Sequence, residues 1–146
     1  VELGRYLVTV ADCTACHSDP GGGAPFAGGR SIETPFGNIR TPNITPDGET
    51  GIGRWSDAEI ARAIREGIGR DGRALRSDHP SHYYSVMTDE DASAVVAYLR
   101  SLPPTSRSPN LLSSLASATG PLSHSFTVRA ISTSQVPPTK SRHCWC

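Results

Sequence analysis

Apolar residues recur with helical spacing at the start of the chain. Leu3, Tyr6, Leu7 and Val10 fall at i, i+3, i+4 and i+7, which predicts a helix from about Glu2 to Asp12 with one apolar stripe. The pattern then stops. Residues 18–54 are crowded with Gly, Pro, Asn and Asp, and no regular element is expected there. A second helix has a clear start: Ser56 followed three residues later by Glu59 is a capping box, Ile60, Ala61 and Ile64 form its inner face, and Gly67 is a natural stop. Residues 69–87 are again irregular. A third helix begins at Thr88, whose Asp89, Glu90 and Asp91 suit the positive end of a helix dipole. Val95, Val96, Leu99 and Leu102 give its buried face, and Pro103-Pro104 ends it. No strand is expected before residue 104.

From Thr105 the texture changes. Residues 105–146 are Ser/Thr-rich and contain no acid, and they read as a poorly ordered tail behind a domain spanning 1–104. A segment unrelated to the domain would read the same way. Formal net charge is zero, yet residues 1–104 hold ten arginines, no lysine and fourteen acids, for a net charge of −4. No basic patch for nucleic acid is suggested. No run of apolar residues approaches a membrane span, and no secretory leader is visible, so a mature form or a piece of a longer protein is expected.

Composition sharpens the problem of the long irregular stretch. The 146-residue chain is only 36% hydrophobic and 6% aromatic, a thin supply for a core. A structureless run of this length is unusual in a compact domain unless it wraps a ligand. The candidate ligand follows from Cys13-Thr14-Ala15-Cys16-His17, a C-x-x-C-H at the end of the first helix, which is the haem c attachment signature. Two thiols with two residues between them span the two vinyl groups of haem, and the adjacent imidazole lies over the iron as proximal ligand. Rival readings are a thioredoxin-like redox pair, which needs a βαβ context absent here, and half a zinc site completed by Cys144 and Cys146.

The strings GRYL at 4–7, CTACH at 13–17, PFAGG at 25–29, TPFG at 34–37, TPNITPDGETGIGRWSD at 41–57, REGI at 65–68, DGRAL at 71–75, MTDED at 87–91 and AYLRSLPP at 97–104 carry a resemblance. Val1 to Pro104 resembles a class I cytochrome c, and more narrowly the cytochrome c subunits of bacterial membrane-bound dehydrogenases acting on alcohols, aldehydes or sugar acids. The resemblance covers about seven-tenths of the chain. It implies an all-α cytochrome c fold, with three main helices around one covalent haem c, the first and third crossing, and long Ω-like loops. It further implies single-electron transfer without a substrate of its own. The donor would be a dehydrogenase subunit or a neighbouring haem domain, and the acceptor a quinone site, a cytochrome or an oxidase of the respiratory chain, with a periplasmic location. Members commonly carry three such domains and a membrane anchor, whereas this sequence has one haem motif.

The resemblance also exposes a departure. The family's distal Met-Pro falls on His79-Pro80 when the register runs without gaps from Gly72-Arg73-Ala74-Leu75 to Thr88-Asp89. His17/His79 ligation of iron is therefore expected. Met87, the only Met, abuts a helix cap and is the alternative; His82 or an open or water-bound sixth site are others. Imidazole in place of thioether lowers the reduction potential. Around the ligands, a backbone carbonyl near Pro25 is expected to orient His17. Trp55 and Arg40, with Asn43 and Arg54 behind them, are expected to bind the propionates, and Tyr83 and Tyr84 to pack the haem edge or core. A function of another class, a haem sensor or ligand-binding module, requires a displaceable sixth ligand. A peroxidase requires a distal His-Arg pair, and none is evident.

Overall fold

The computed structural model describes residues 1–35 and 37–107. It contains five helices and one two-stranded sheet: α1 (Glu2–Val10), α2 (Cys13–His17), β1 (Ser31–Thr34), β2 (Gly37–Arg40), α3 (Asp57–Glu66), α4 (Ser81–Tyr84) and α5 (Asp89–Ser101). The fold is mostly helical rather than all-α. The expectation of no strand is corrected by the hairpin β1–β2, in which Ile32 opposes Ile39 in an antiparallel pair. It lies in the Gly/Pro stretch, where four-residue strands are too short for alternation to be read from the sequence. The expected poorly ordered tail lies, from residue 108 onward, outside the described residues, as do Cys144 and Cys146.

The three longer helices sit where their signals put them. At α3, the Ser56 hydroxyl accepts from the Glu59 amide while the Glu59 carboxylate accepts from the Ser56 amide, and Gly67 closes the helix in the left-handed region (φ 67°). At α5, the Thr88 side chain accepts from the Asp91 amide. α1 ends at Val10, and Asp12 takes a left-handed turn (φ 53°) that starts α2; a short Asx side chain tolerates this conformation.

α1 and α5 pack directly on each other. The contact is made by Gly4, where a β-carbon would come within 1.9 Å of the Ala94 carbonyl oxygen, and by Val8, which is 2% exposed. Val8, Ile60, Val95, Val96 and Leu99 then join Phe26, Ile52 and Trp55 from the long loop in one core. The stripe read from the sequence is turned differently: Tyr6 and Val10 are exposed and Leu3 is largely so.

Candidate haem site

The core is not closed. Between α1, α2, α3, α5 and the loops lies a cleft of about 1010 Å³ including its open mouth, walled chiefly by aliphatic residues such as Leu7, Ile52, Ile60 and Leu99. Cys13, Cys16 and His17 all line it, because α2 is a single turn and a half that presents the three side chains together. Cys13 is partly buried and Cys16 exposed. Burial pushes the Cys13 thiol up to about 11, so it is protonated at neutral pH.

His17 is buried and its Nδ1–H donates to the Pro42 carbonyl at 2.9 Å. With the proton held on Nδ1, the Nε2 lone pair is left available. Burial lowers the His17 pKa and the Pro42 bond partly opposes this. The orienting carbonyl is therefore Pro42, not the neighbourhood of Pro25. Pro42 belongs to the TPNITPDG string, whose residue pattern alone gives no sign of this role.

His79 and Met87 both line the cleft. The His79 Nδ1 is buried and has no hydrogen-bond partner. Its pKa is pushed down to about 4, first by burial and then by the nearby His17. Met87 reaches the cleft despite adjoining the Thr88 cap, and packs against the core. His82 is exposed on α4, its ring tilted by 41° against Tyr83 with centroids 3.9 Å apart. Tyr83 is likewise exposed, whereas Tyr84 lines the cleft, meets His79 edge-on and donates its hydroxyl to the Ala11 carbonyl at 3.1 Å.

Trp55 is buried at the boundary between the apolar cleft and an adjoining polar pocket that contains Arg54 and Arg70. Arg70 carried no signal in the sequence; its approach depends on the turn after α3. Arg40 is not brought to the cleft. It is exposed on β2 and donates to the Gly29 carbonyl at 3.2 Å. Asn43 lines the cleft, but its amide is committed to Thr50 and Thr105. Among the described residues, no group of three or more His, Cys, Asp or Glu is arranged to hold a metal ion, and no helix is long and apolar enough to cross a membrane.

The donor set fits haem. An apolar slot for the macrocycle, two thiols at one wall and an oriented imidazole with a free nitrogen are what a covalent haem requires. Comparison with known proteins agrees. The family model for cytochrome c matches residues 1–103. Over 104 residues the chain is 49% identical to a subunit of nicotinate dehydrogenase from Pseudomonas putida, covering 71% of this chain and 9% of that protein. Over 98 residues it is 46% identical to the gluconate 2-dehydrogenase cytochrome c subunit of Pantoea cypripedii, covering 67% and 22%. It is 40% identical over 99 residues to the fructose dehydrogenase cytochrome subunit of Gluconobacter japonicus, covering 68% and 20%. The chain thus spans less than a quarter of the length of these curated relatives. With its haem-attachment helix and apolar cleft, the chain belongs to the cytochrome c family, an electron-transfer domain carrying covalent haem c.

Proposed function

We propose that this domain relays single electrons from a dehydrogenase subunit or a neighbouring haem domain to a quinone site, cytochrome or oxidase, on the periplasmic side of a bacterial membrane. In the proposal, Cys13 and Cys16 form the thioether links, His17 is the proximal ligand and His79 the distal one. Trp55, with Arg54 and Arg70 in the adjoining pocket, serves the propionates. The bound haem supplies an iron that cycles between ferrous and ferric states. The protein supplies the rest. The Pro42 carbonyl fixes the ring of His17 and the tautomer that leaves Nε2 unprotonated. The aliphatic walls exclude water, which limits reorganisation during electron transfer. Burial keeps both imidazoles neutral and able to coordinate.

The observation that carries the ligand assignment is the partnerless buried nitrogen of His79 beside His17 in one cleft. A buried unsatisfied nitrogen is costly, whereas the Met87 thioether is already satisfied by packing. The test is the near-infrared spectrum of the ferric holoprotein. A low-spin bis-imidazole band without the far-red Met-to-iron band is expected. A Met-to-iron band would give the site to Met87, and ready carbon monoxide binding by the unaltered ferrous protein would favour a sensor with a displaceable ligand.

A further inference from the structure

His17 is gripped at two points. Its ring donates to the Pro42 carbonyl, and its main-chain carbonyl accepts from the Gly28 amide at 2.7 Å. Both grips are held from behind by the segment that follows α5. Next to Pro42, the buried Asn43 donates to the Thr105 carbonyl at 2.7 Å, while the Thr105 amide donates to the Thr45 hydroxyl at 3.2 Å. Next to His17, the Arg107 guanidinium donates to the Gly28 carbonyl and reaches Asp19 at 3.3 Å, and its amide donates to Thr50 at 3.0 Å.

The packing at this crossing admits no slack. A β-carbon on Gly28 would lie 2.4 Å from the Pro42 carbonyl group, backbone that cannot yield, while the movable end of the Arg107 side chain lies over Gly29. Both glycines also have positive φ (72° and 94°). Arg107 lies beyond the region matched by the family, 1–103, so this contact is not part of the haem-binding match.

We propose that Thr105–Arg107 is a strap that positions the proximal histidine, with Arg107 and Asn43 as positioning residues for His17. The strap presses the Pro42 carbonyl onto the ring N–H and the Gly28 amide onto the His17 carbonyl. A firmly held Nδ1–H bond makes the imidazole a stronger electron donor to iron and favours the ferric state. Loosening the strap raises the reduction potential. The proposal rests on His17 being the proximal ligand.

The test uses the full chain matured with covalent haem. Redox titration and proton NMR of the ferric form read the midpoint potential and the exchange rates of the His17 ring N–H and the Gly28 amide. Arg107→Ala is expected to raise the potential, shifting the ferrous-to-ferric ratio about threefold at a fixed electrode potential, the scale of one hydrogen bond, and to speed both exchanges. Arg107→Lys keeps a donor for the Gly28 carbonyl and should stay near the parent. Asn43→Ser should shift the potential in the same direction by more. Unchanged potential and exchange in Arg107→Ala, with only a lower melting temperature, would overturn the proposal by making the strap purely structural. Absence of hyperfine-shifted His17 ring resonances in the unaltered holoprotein would overturn the ligation reading itself, before any variant is made.

Discussion

Residues 41–55 and 69–87 both line the haem cleft, and they are held by different physics. In the first stretch most of the buried polar groups satisfy one another, the Thr41 hydroxyl being the exception. Asn43 and Thr45 are 3% and 1% exposed, and the Asn43 Oδ1 accepts from both the amide and the hydroxyl of Thr45. The Asp47 carboxylate accepts from the amide and hydroxyl of Thr50. The second stretch is tied by turn bonds, such as Leu75 amide to Gly67 carbonyl, and by exposed ion pairs, Arg73–Asp71 and Arg76–Asp78. The His79 Nδ1 is buried there without a partner. A satisfied buried network is rigid and specific, whereas surface pairs contribute little. One wall of the site is thus held by buried hydrogen bonds, and the other by turns and surface pairs.

The sharpest way to break this comparison is to remove an imidazole from each side. His17→Ala is expected to abolish low-spin haem and to reduce the yield of covalent holoprotein severely, as read by haemochrome content. His79→Ala is expected to retain covalent haem and helical circular dichroism but to become high-spin and bind carbon monoxide in the ferrous state. Equal loss of holoprotein in both would remove the asymmetry.

Thr45→Val tests the network itself. It deletes the hydroxyl that serves Asn43 and Thr105 while keeping the shape. About 2 kcal/mol of stability should be lost, roughly 10 °C in melting temperature for a domain of this size.

Acid offers a milder probe. The bonds from the Thr50 amide, and then its hydroxyl, hold the Asp47 carboxyl below its ordinary 3.8. A depressed carboxyl contributes stability that is present above its unfolded pKa and lost as the pH falls through the folded one. Stability should therefore drop below pH 3.8, and Asp47→Asn should flatten that part of the denaturation profile. The smallest effect belongs to the distal side: Asp78→Asn breaks the half-exposed pair with Arg76 and should change unfolding free energy by less than about 0.5 kcal/mol in urea titration.

These contrasts explain what the sequence discloses. Signals that act within one turn are legible: the Ser56/Glu59 box, the Thr88 cap and the grouping of Cys13, Cys16 and His17 all stand where they were expected. Signals that depend on a partner far along the chain are not. An apolar stripe ordinarily marks a helix's inner face, yet on α1 the closest contact belongs to Gly4, because a helix crossing this tight has no room for a side chain. Pro42 rather than a residue near Pro25 orients His17, since the choice is made by how a loop 25 residues away folds back. Asn43 reads as a propionate donor, but Thr105, 62 positions on, claims its amide. Arg40 fails for a related reason: the hairpin turns it outward, toward Gly29.

The seam between α1 and α5 has one more implication. Gly4 lies against Ala94 and the Cβ of Tyr98, so a point three residues from Val1 touches one three residues from the end of the last helix. The first and last helices are pinned where neither backbone can give way. Opening one uncovers the face of the other, so the two fray as a single unit and not one at a time.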